Sequence, residues 1–402
     1  MRQTPLLIVA AVALCGALAW YLTDSRVDGA GAVAGTGLGG QGLATAGMSS
    51  AAAAGGTGGL VGSAAQQARQ AQLALWQGRY ERAEQVYASY RDATRYPHES
   101  RPIAEHPDQV RPFAPIAEEN TLRKANGEAV KSVRLRTTQE RVFLSGAETV
   151  RFTIEATDST GRLLPLVVTS AAAQSLPESS VPVNLIRSGV AFTDDGTGAD
   201  DVAGDNRYSA RLSPSQQGFA SFSGTIRLLA QVNVQGEDGV VHFDVIYSPD
   251  VPATWAGVRE ALENGSLNFY LKANVMRPGR YVASARVDDA NGQPFALLQF
   301  NNEVAAGARE FRLTLFGALV RDKNPVFPLQ LRDIEGYLLI PDAFPDRAMM
   351  ARQAGVVHRS GVYGQDRFSA AEWSSEERER YLAEYAKDAE TARLEVDKLQ
   401  GR

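Results

Sequence analysis

Five aspartates crowd a short stretch near the middle of the chain, and their type and spacing suit them to bind a cation. The five residues are Asp194, Asp195, Asp200, Asp201 and Asp205. Ionised carboxylates this close repel one another unless water or a cation neutralises them. Calcium fits such a loop because it takes about six to eight oxygen ligands in flexible geometry. The pattern therefore predicts a possible calcium site.

A solvated turn is the alternative interpretation of the same loop. The spacing differs from the EF-hand pattern D-x-[DN]-x-[DN]-G, so the sequence does not define a ligand set. Aspartate and glycine also form turns and helix caps with the charge facing water. Both interpretations stay open at the level of sequence.

Recognisable catalytic motifs do not accompany the four histidines of the chain. No H-E-x-x-H, G-x-S-x-G, P-loop or Cys/His nucleophile pattern is present, so we predict that the protein is not an enzyme. A hydrolase acting on a cell-wall or surface polymer is the alternative, because the paired carboxylates of glycoside cleavage come together only in three dimensions.

The region around the aspartates alternates apolar and polar residues in short bursts separated by turn residues. A period of two predicts half-buried strands, and the absence of helices of crossover length favours antiparallel sandwiches over a doubly wound sheet. We expect a mainly β fold with two antiparallel Ig-like β-sandwich modules at 126–250 and 251–345. The stretch 249–263, which carries Trp255, has a short helix-like pattern.

Two helices are predicted to flank these modules. Apolar residues of the segment 64–95, Trp76 among them, recur at three- and four-residue steps, as do those of the helix within 346–402. Ser374 and Glu377 form a capping-box pattern before the second helix. We expect the Trp76 helix to pack on the C-terminal helix or on the β-body. The segment 96–125 begins with a proline-rich stretch. Because proline interrupts helices and sheets, we expect this segment to form an extended strap without regular structure.

The N-terminus directs the chain to a membrane. Arg2 precedes the uncharged run Leu6–Leu22, so residues 1–24 form an anchor or signal segment with the bulk of the chain outside the cytoplasm. We predict a retained single-pass anchor in the inner membrane; cleavage near Ala19, giving a periplasmic or secreted protein, is the alternative. Residues 28–63 have the Gly/Ala-rich composition of a flexible linker.

Composition excludes several other classes of protein. The net charge of −5 leaves no basic surface for nucleic acid. The single cysteine, Cys15, lies in the apolar run, which excludes intramolecular disulfides and a cysteine-based zinc site.

Several segments of the chain resemble a known family. The loop from Phe192 to Tyr208, the strap sequence SRPIAEHPDQVRP, the stretch RPGRYVASARVDDANGQPFA and the sequence FSAAEW are similar to bacterial envelope proteins with a "choice-of-anchor X" domain. The resemblance covers roughly residues 70 to 375. It implies a varied membrane or surface anchor joined to β-rich extracytoplasmic domains, with no general activity attached. One departure is Asn206, where the family pattern has glycine.

The sequence as a whole thus predicts a membrane-tethered extracytoplasmic β-sandwich protein with a structural or binding role in the cell envelope. The expected partners are the membrane, through residues 6–22, and an envelope protein or glycan. Calcium is the cofactor that the aspartate loop suggests.

Overall fold

The computed structural model describes residues 58–177 and 185–401. The predicted mainly β fold class is confirmed, because most of the described elements are strands of antiparallel sheets. Three α-helices accompany the strands in the described ranges: α1 at Gly58–Ala93, α2 at Gly317–Lys323 and α3 at Glu376–Gln400.

The first half of the β-region forms two five-stranded sheets. Its strands are β2 Ile116–Arg123, β3 Ala129–Gln139, β4 Phe143–Ser145, β5 Val150–Thr157, β6 Leu163–Leu164, β7 Leu166–Ser175, β8 Arg187–Gly189, β9 Tyr208–Leu212, β10 Gly224–Val234 and β11 Glu237–Ser248. One sheet has the order β2-β3-β5-β6 with β9 also paired to β5, and the other has the order β4-β11-β10-β7-β8. All of these pairs are antiparallel except β4 with β11.

The two sheets enclose one hydrophobic core, as the alternating pattern requires. Phe152 from β5 meets Phe243 from β11 with ring centroids 4.7 Å apart, so the sheets pack face to face. Every second residue of β10, from Ile226 to Val234, is buried in this core. We call this body the first sandwich.

The second half of the β-region also forms two sheets around its own core. Its strands are β1 Ser100–Pro102, β12 Ala253–Glu263, β13 Ser266–Val275, β14 Gly279–Asp288, β15 Pro294–Val304, β16 Gly307–Leu315, β17 Gln330–Leu339, β18 Arg347–Met349 and β19 Gln353–Arg359. A six-stranded sheet has the order β1-β15-β14-β17-β18 with β19 on β17, and β12-β13-β16 form the other sheet. Phe300 of β15 stacks on Phe311 of β16 at 4.8 Å across the core. We call this body the second sandwich.

The observed boundaries differ from those expected from the sequence. The first sandwich begins at Ile116, inside the predicted strap, and the second continues to Arg359 instead of ending at 345. The strap also contains regular structure: β1 pairs with β15, and two 3-10 turns follow at Ile103–Glu105 and Pro107–Val110. Proline is compatible with such positions because edge strands and turns do not require a hydrogen bond from every backbone N–H.

Two local expectations are corrected by hydrogen bonding. The helix-like stretch around Trp255 is strand β12, which pairs with β13 along its length, because pairing with a neighbouring strand outweighs a weak local pattern. The N-cap of α3 is Ser375, whose side chain accepts a hydrogen bond from the Arg378 N–H, and not Ser374.

The two sandwiches contact each other through a mixed polar and aromatic junction. Ser145 Oγ accepts a buried hydrogen bond from the Met349 N–H at 2.9 Å. The Arg347 guanidinium lies 4.7 Å from the ring centroid of Phe143 and 5.0 Å from that of Tyr337. The junction therefore joins β4 of one sandwich to β17 and β18 of the other.

The helices α1 and α3 pack against each other in antiparallel orientation, as their apolar stripes predict. The Arg69 guanidinium donates to the Leu399 carbonyl at one end of the pair, and Tyr90 contacts Tyr381 at 5.7 Å at the other. Trp76 is half-buried in this pair.

The predicted anchor 1–24 and the linker as far as residue 57 lie outside the described residues. Within the described part of the chain, none of the helices combines the length and hydrophobicity that crossing a membrane requires. Residues 67–402 form one structural unit, which contains every feature discussed below.

Candidate metal site in the aspartate loop

The aspartate loop connects the two sheets of the first sandwich. It runs from the end of β8, in one sheet, to the start of β9, in the other. An antiparallel bridge between Thr193 and Ser209, with N–O distances of 3.0 and 2.9 Å, closes its base. The strands therefore hold both ends of the loop at fixed positions.

Three of the five predicted aspartates come together in this loop. Asp194, Asp200 and Asp205 each offer a carboxylate oxygen, and these oxygens all lie within 4.8 Å of one another. Asp200 is buried, with 6% of its surface exposed, and the other two are half-buried. Oxygens at this separation can ligate a common cation, since calcium–oxygen distances are about 2.3–2.6 Å.

Backbone amides fix the directions of these carboxylates. Asp194 Oδ1 accepts from the Asp205 N–H at 3.1 Å, and its Oδ2 accepts from the Asn206 N–H at 3.0 Å. Asp200 Oδ2 accepts from the Gly196 N–H at 2.7 Å. The loop thus folds around its own carboxylates.

Cationic side chains near the loop are engaged elsewhere. Arg151 pairs with Asp201 at 2.7 Å, and Arg207 pairs with Glu155 at 3.0 Å. In the described part of the chain, no lysine, arginine or histidine forms an ion pair with the three clustered carboxylates. Their negative charge is consequently balanced only by amide dipoles and solvent.

The remaining two predicted ligands point away from the cluster. Asp195 Oδ1 accepts from the Thr197 hydroxyl at 2.8 Å and from the Thr197 N–H at 3.0 Å, and these hydrogen bonds lower the pKa of Asp195. Asp201 is held by Arg151. The two residues therefore serve as turn and surface contacts in this structure.

The loop requires left-handed backbone at several positions. Gly196 has φ +71°, and an added Cβ there would lie 3.1 Å from the Ala203 nitrogen, so a larger residue would press on the opposite side of the loop. Asn206 has φ +61°, the conformation that glycine would adopt at this position. Asparagine thus maintains a left-handed turn at this position of the loop.

A second charged cluster, which the sequence did not reveal, lies in the second sandwich. Asp288 is fully buried and accepts from Arg286 Nε at 2.8 Å and from Arg332 Nη1 at 3.0 Å. Asp333 accepts from Arg332 Nε at 3.0 Å and lies 3.6 Å from Arg286 Nη2. We call these four residues the arginine–aspartate ring. Its two positive and two negative charges balance.

Another polar cluster joins β12 to the segment after β19. Glu260 accepts hydrogen bonds from the Gly361 N–H at 2.7 Å and the Tyr363 hydroxyl at 2.8 Å, and it lies 3.1 Å from His358 Nε2. Burial, followed by the hydrogen bond to Glu260, raises the pKa of Tyr363. No local pattern marks this cluster in the sequence, because Glu260 lies about a hundred positions from its three partners.

Comparisons with known proteins leave the chain without an assigned family. No family model matches it, and no curated protein matches it. Among solved structures, a DUF4785 family protein from Legionella pneumophila is similar, with a TM-score of 0.34 and 14% identity. The similarity covers 57% of this chain, and the chain spans only 56% of the length of that structure.

Proposed function

We propose that this protein is a membrane-tethered extracytoplasmic protein whose two Ig-like β-sandwich modules have a structural or binding role in the cell envelope. The apolar run Leu6–Leu22 and the Gly/Ala-rich linker support the tether. The resemblance to choice-of-anchor X proteins supports the same arrangement of anchor and β-rich domains.

Calcium binding at Asp194, Asp200 and Asp205 is the part of this proposal that rests on a single observation. The three carboxylates lie within 4.8 Å of one another, and no cationic side chain of the described residues neutralises them. Outside the cytoplasm, calcium modules commonly bind with dissociation constants of about 10⁻⁴–10⁻³ M. A site built from a few carboxylates on one loop is appropriate to that range, in which the ion would fasten the crossover between the sheets.

Thermal unfolding of the full-length protein tests the calcium proposal. We expect the melting temperature to rise as calcium is added to chelator-treated protein, and to rise less with magnesium, which demands a stricter octahedral geometry. Identical melting curves in millimolar calcium and in chelator would contradict calcium binding and leave the solvated turn as the interpretation of the loop.

Cell fractionation with N-terminal sequencing tests the tether. We expect the protein in the inner-membrane fraction with its N-terminus intact, because the apolar run continues without interruption through Trp20 and Tyr21. Recovery of a soluble mature form that begins near Trp20 would contradict the tether and show that the N-terminal segment is a cleaved signal peptide.

A further inference from the structure

The pair of helices α1 and α3 has two different faces, and one of them carries exposed apolar side chains. Leu75 and Val86 of α1 are 51% and 47% exposed, and Tyr381 of α3 is 39% exposed. Successive residues of an α-helix are rotated by about 100°. On α1 this rotation places Leu75, Arg79, Arg82 and Val86 along one flank, beside the stripe that contacts α3.

The flank of α3 on the same side is acidic. Helical rotation aligns Glu377, Glu384 and Asp388 with Tyr381. Contacts between the helices show that this flank adjoins the Leu75 flank of α1, because the ring centroids of Tyr90 and Tyr381 lie 5.7 Å apart. We call the combined surface the Leu75 face.

The opposite face of the helix pair has another character. There Glu84 of α1 lies with Glu390 and Arg393 of α3 along a groove. Arg393 pairs with Glu390 at 2.7 Å and with Asp397 at 3.0 Å, so charges on this side are matched within one helix. Leu394 of α3, another exposed apolar residue, points away from the Leu75 face.

Charges on the Leu75 face are separated between the two helices. Among the described residues, Arg79 and Arg82 have no carboxylate partner: the Arg79 guanidinium lies over the Trp76 ring at 4.6 Å, and Arg82 Nε donates to the Gly78 carbonyl at 3.1 Å. On α3, Glu384 pairs with Lys387 at 4.0 Å, and the Arg380 guanidinium lies 5.4 Å from the centroid of the Tyr381 ring, whereas Glu377 and Asp388 form no ion pair with described residues. The unpaired charges of the face are thus basic on α1 and acidic on α3.

We propose that the Leu75 face binds a second copy of this chain. A two-fold axis parallel to the helices sets α1 of each protomer on α3 of its partner and makes an antiparallel four-helix arrangement. The basic flank of each α1 then meets the acidic flank of the opposite α3, and Leu75, Val86 and Tyr381 become buried between them. A surface that is basic on one helix and acidic on the other is complementary to itself under this rotation.

The register of the helix pair identifies one pair of partners across the interface. Arg69 contacts the Leu399 carbonyl and Tyr90 contacts Tyr381, so Arg82 lies at the level of Asp388. The two-fold rotation keeps that level and brings Arg82 of one protomer opposite Asp388 of its partner. This contact forms twice in the dimer.

Sedimentation velocity of the full-length protein in a non-ionic detergent tests the proposal. We expect a concentration-dependent dimer that Arg82→Glu weakens by about tenfold or more in dissociation constant, since like charges then face each other at two places. Asp388→Arg has the same effect alone, and the double variant Arg82→Glu/Asp388→Arg restores the dimer. Circular dichroism confirms that each variant keeps its helices.

The matched control is Glu81→Arg, which reverses an exposed charge of α1 on the other side of the helix. We expect this variant to form the dimer as the wild type does. A monomer at every concentration overturns the proposal. So does a dimer that tolerates Arg82→Glu and Asp388→Arg, or one that Glu81→Arg disrupts equally.

Discussion

The first sandwich and the second sandwich each gather several charged side chains in a small volume, but the two groups differ in their balance of charge. In the arginine–aspartate ring, Arg286 and Arg332 neutralise Asp288 and Asp333 through hydrogen bonds of 2.8–3.0 Å. In the aspartate loop, three carboxylates share a site, and among the described residues only backbone N–H groups donate hydrogen bonds to them.

This difference separates a cluster whose charges neutralise one another from a cluster that keeps a net charge. The ring is closed, because its buried charges satisfy one another and an added ion would find no free ligand. The loop is open, because its carboxylates keep a net negative charge that amide dipoles reduce without cancelling. Crowded acidic residues therefore indicate a cation site only where the protein has not already supplied the cations.

Removing one member of the ring should have the largest effect on stability. Asp288→Ala leaves the buried Arg286 and the half-buried Arg332 with Asp333 as the remaining carboxylate of the ring, and we expect it to lower the free energy of unfolding by about 3–5 kcal/mol. Denaturant titration of the full-length protein measures this change. The control Asp250→Ala removes an exposed carboxylate that is 3.8 Å from Arg277, and it should change stability by less than about 1 kcal/mol. Equal effects of the two variants would contradict the account of the ring.

Calcium should have the next largest effect, and it should act on the loop alone. A free concentration 100 times the dissociation constant stabilises a protein that binds only when folded by about 2.7 kcal/mol. We expect Asp205→Ala to abolish this gain, because Asp205 is one of the three clustered residues. Asp201→Ala is the matched control, since Asp201 points to Arg151 and should leave the calcium response unchanged. Thermal melts of both variants with and without calcium measure this gain. An equal loss of the calcium-dependent gain in both variants would contradict a site formed by the three clustered aspartates.

Without calcium, the loop should gain stability from a loss of charge. Asp200→Asn keeps an oxygen that can accept the Gly196 N–H but removes one of three mutually repelling charges, so chelated protein should become more stable by up to about 1 kcal/mol. The same change in the presence of calcium should lower stability, because a ligand is lost. The gain should vanish at about 1 M salt, where the Debye length is about 3 Å. A variant that is less stable than wild type in chelator would mean that the carboxylates do not repel in the folded loop.

The sequence predicted the strands better than it predicted their partners. Burial alternates along β10 and, from Phe269 onward, along β13 as the period-two pattern requires, because side chains of a strand point to opposite faces in turn. Edge strands such as β1 and β12 escaped prediction. Strand β12 has one buried residue, and β1 has only three residues, so the structure of both depends on pairing with a neighbouring strand. Local patterns carry no information about which strand will be that neighbour.

The same limit applies to the charged sites. The aspartate loop could be proposed from sequence because all of its carboxylates lie on one short segment, but the turns at Gly196 and Asn206 decide which three converge. The ring and the Glu260 cluster assemble from different strands, so no spacing in the sequence indicates them. Long-range strand pairing, which sets these contacts, is a property of the whole fold.

Acid should reduce the stability that a paired carboxylate contributes, and we expect this effect to be smaller than those above. Asp322 in α2 is such a paired carboxylate. Arg95 donates two hydrogen bonds to Asp322 and Tyr96 donates a third; these contacts, the Arg95 hydrogen bond first, lower the pKa of Asp322. A carboxyl whose folded pKa is lowered contributes stability above its unfolded pKa of about 3.9 and loses it as the pH falls through the folded value. The difference in unfolding free energy between wild type and Asp322→Asn should therefore be present at neutral pH and close below about pH 4.

Denaturant titrations at several pH values measure this difference, and Asp108→Asn serves as the exposed control. A gap that stays constant down to the lowest pH at which the protein remains folded would show that protonation of Asp322 does not weaken its contacts with Arg95 and Tyr96.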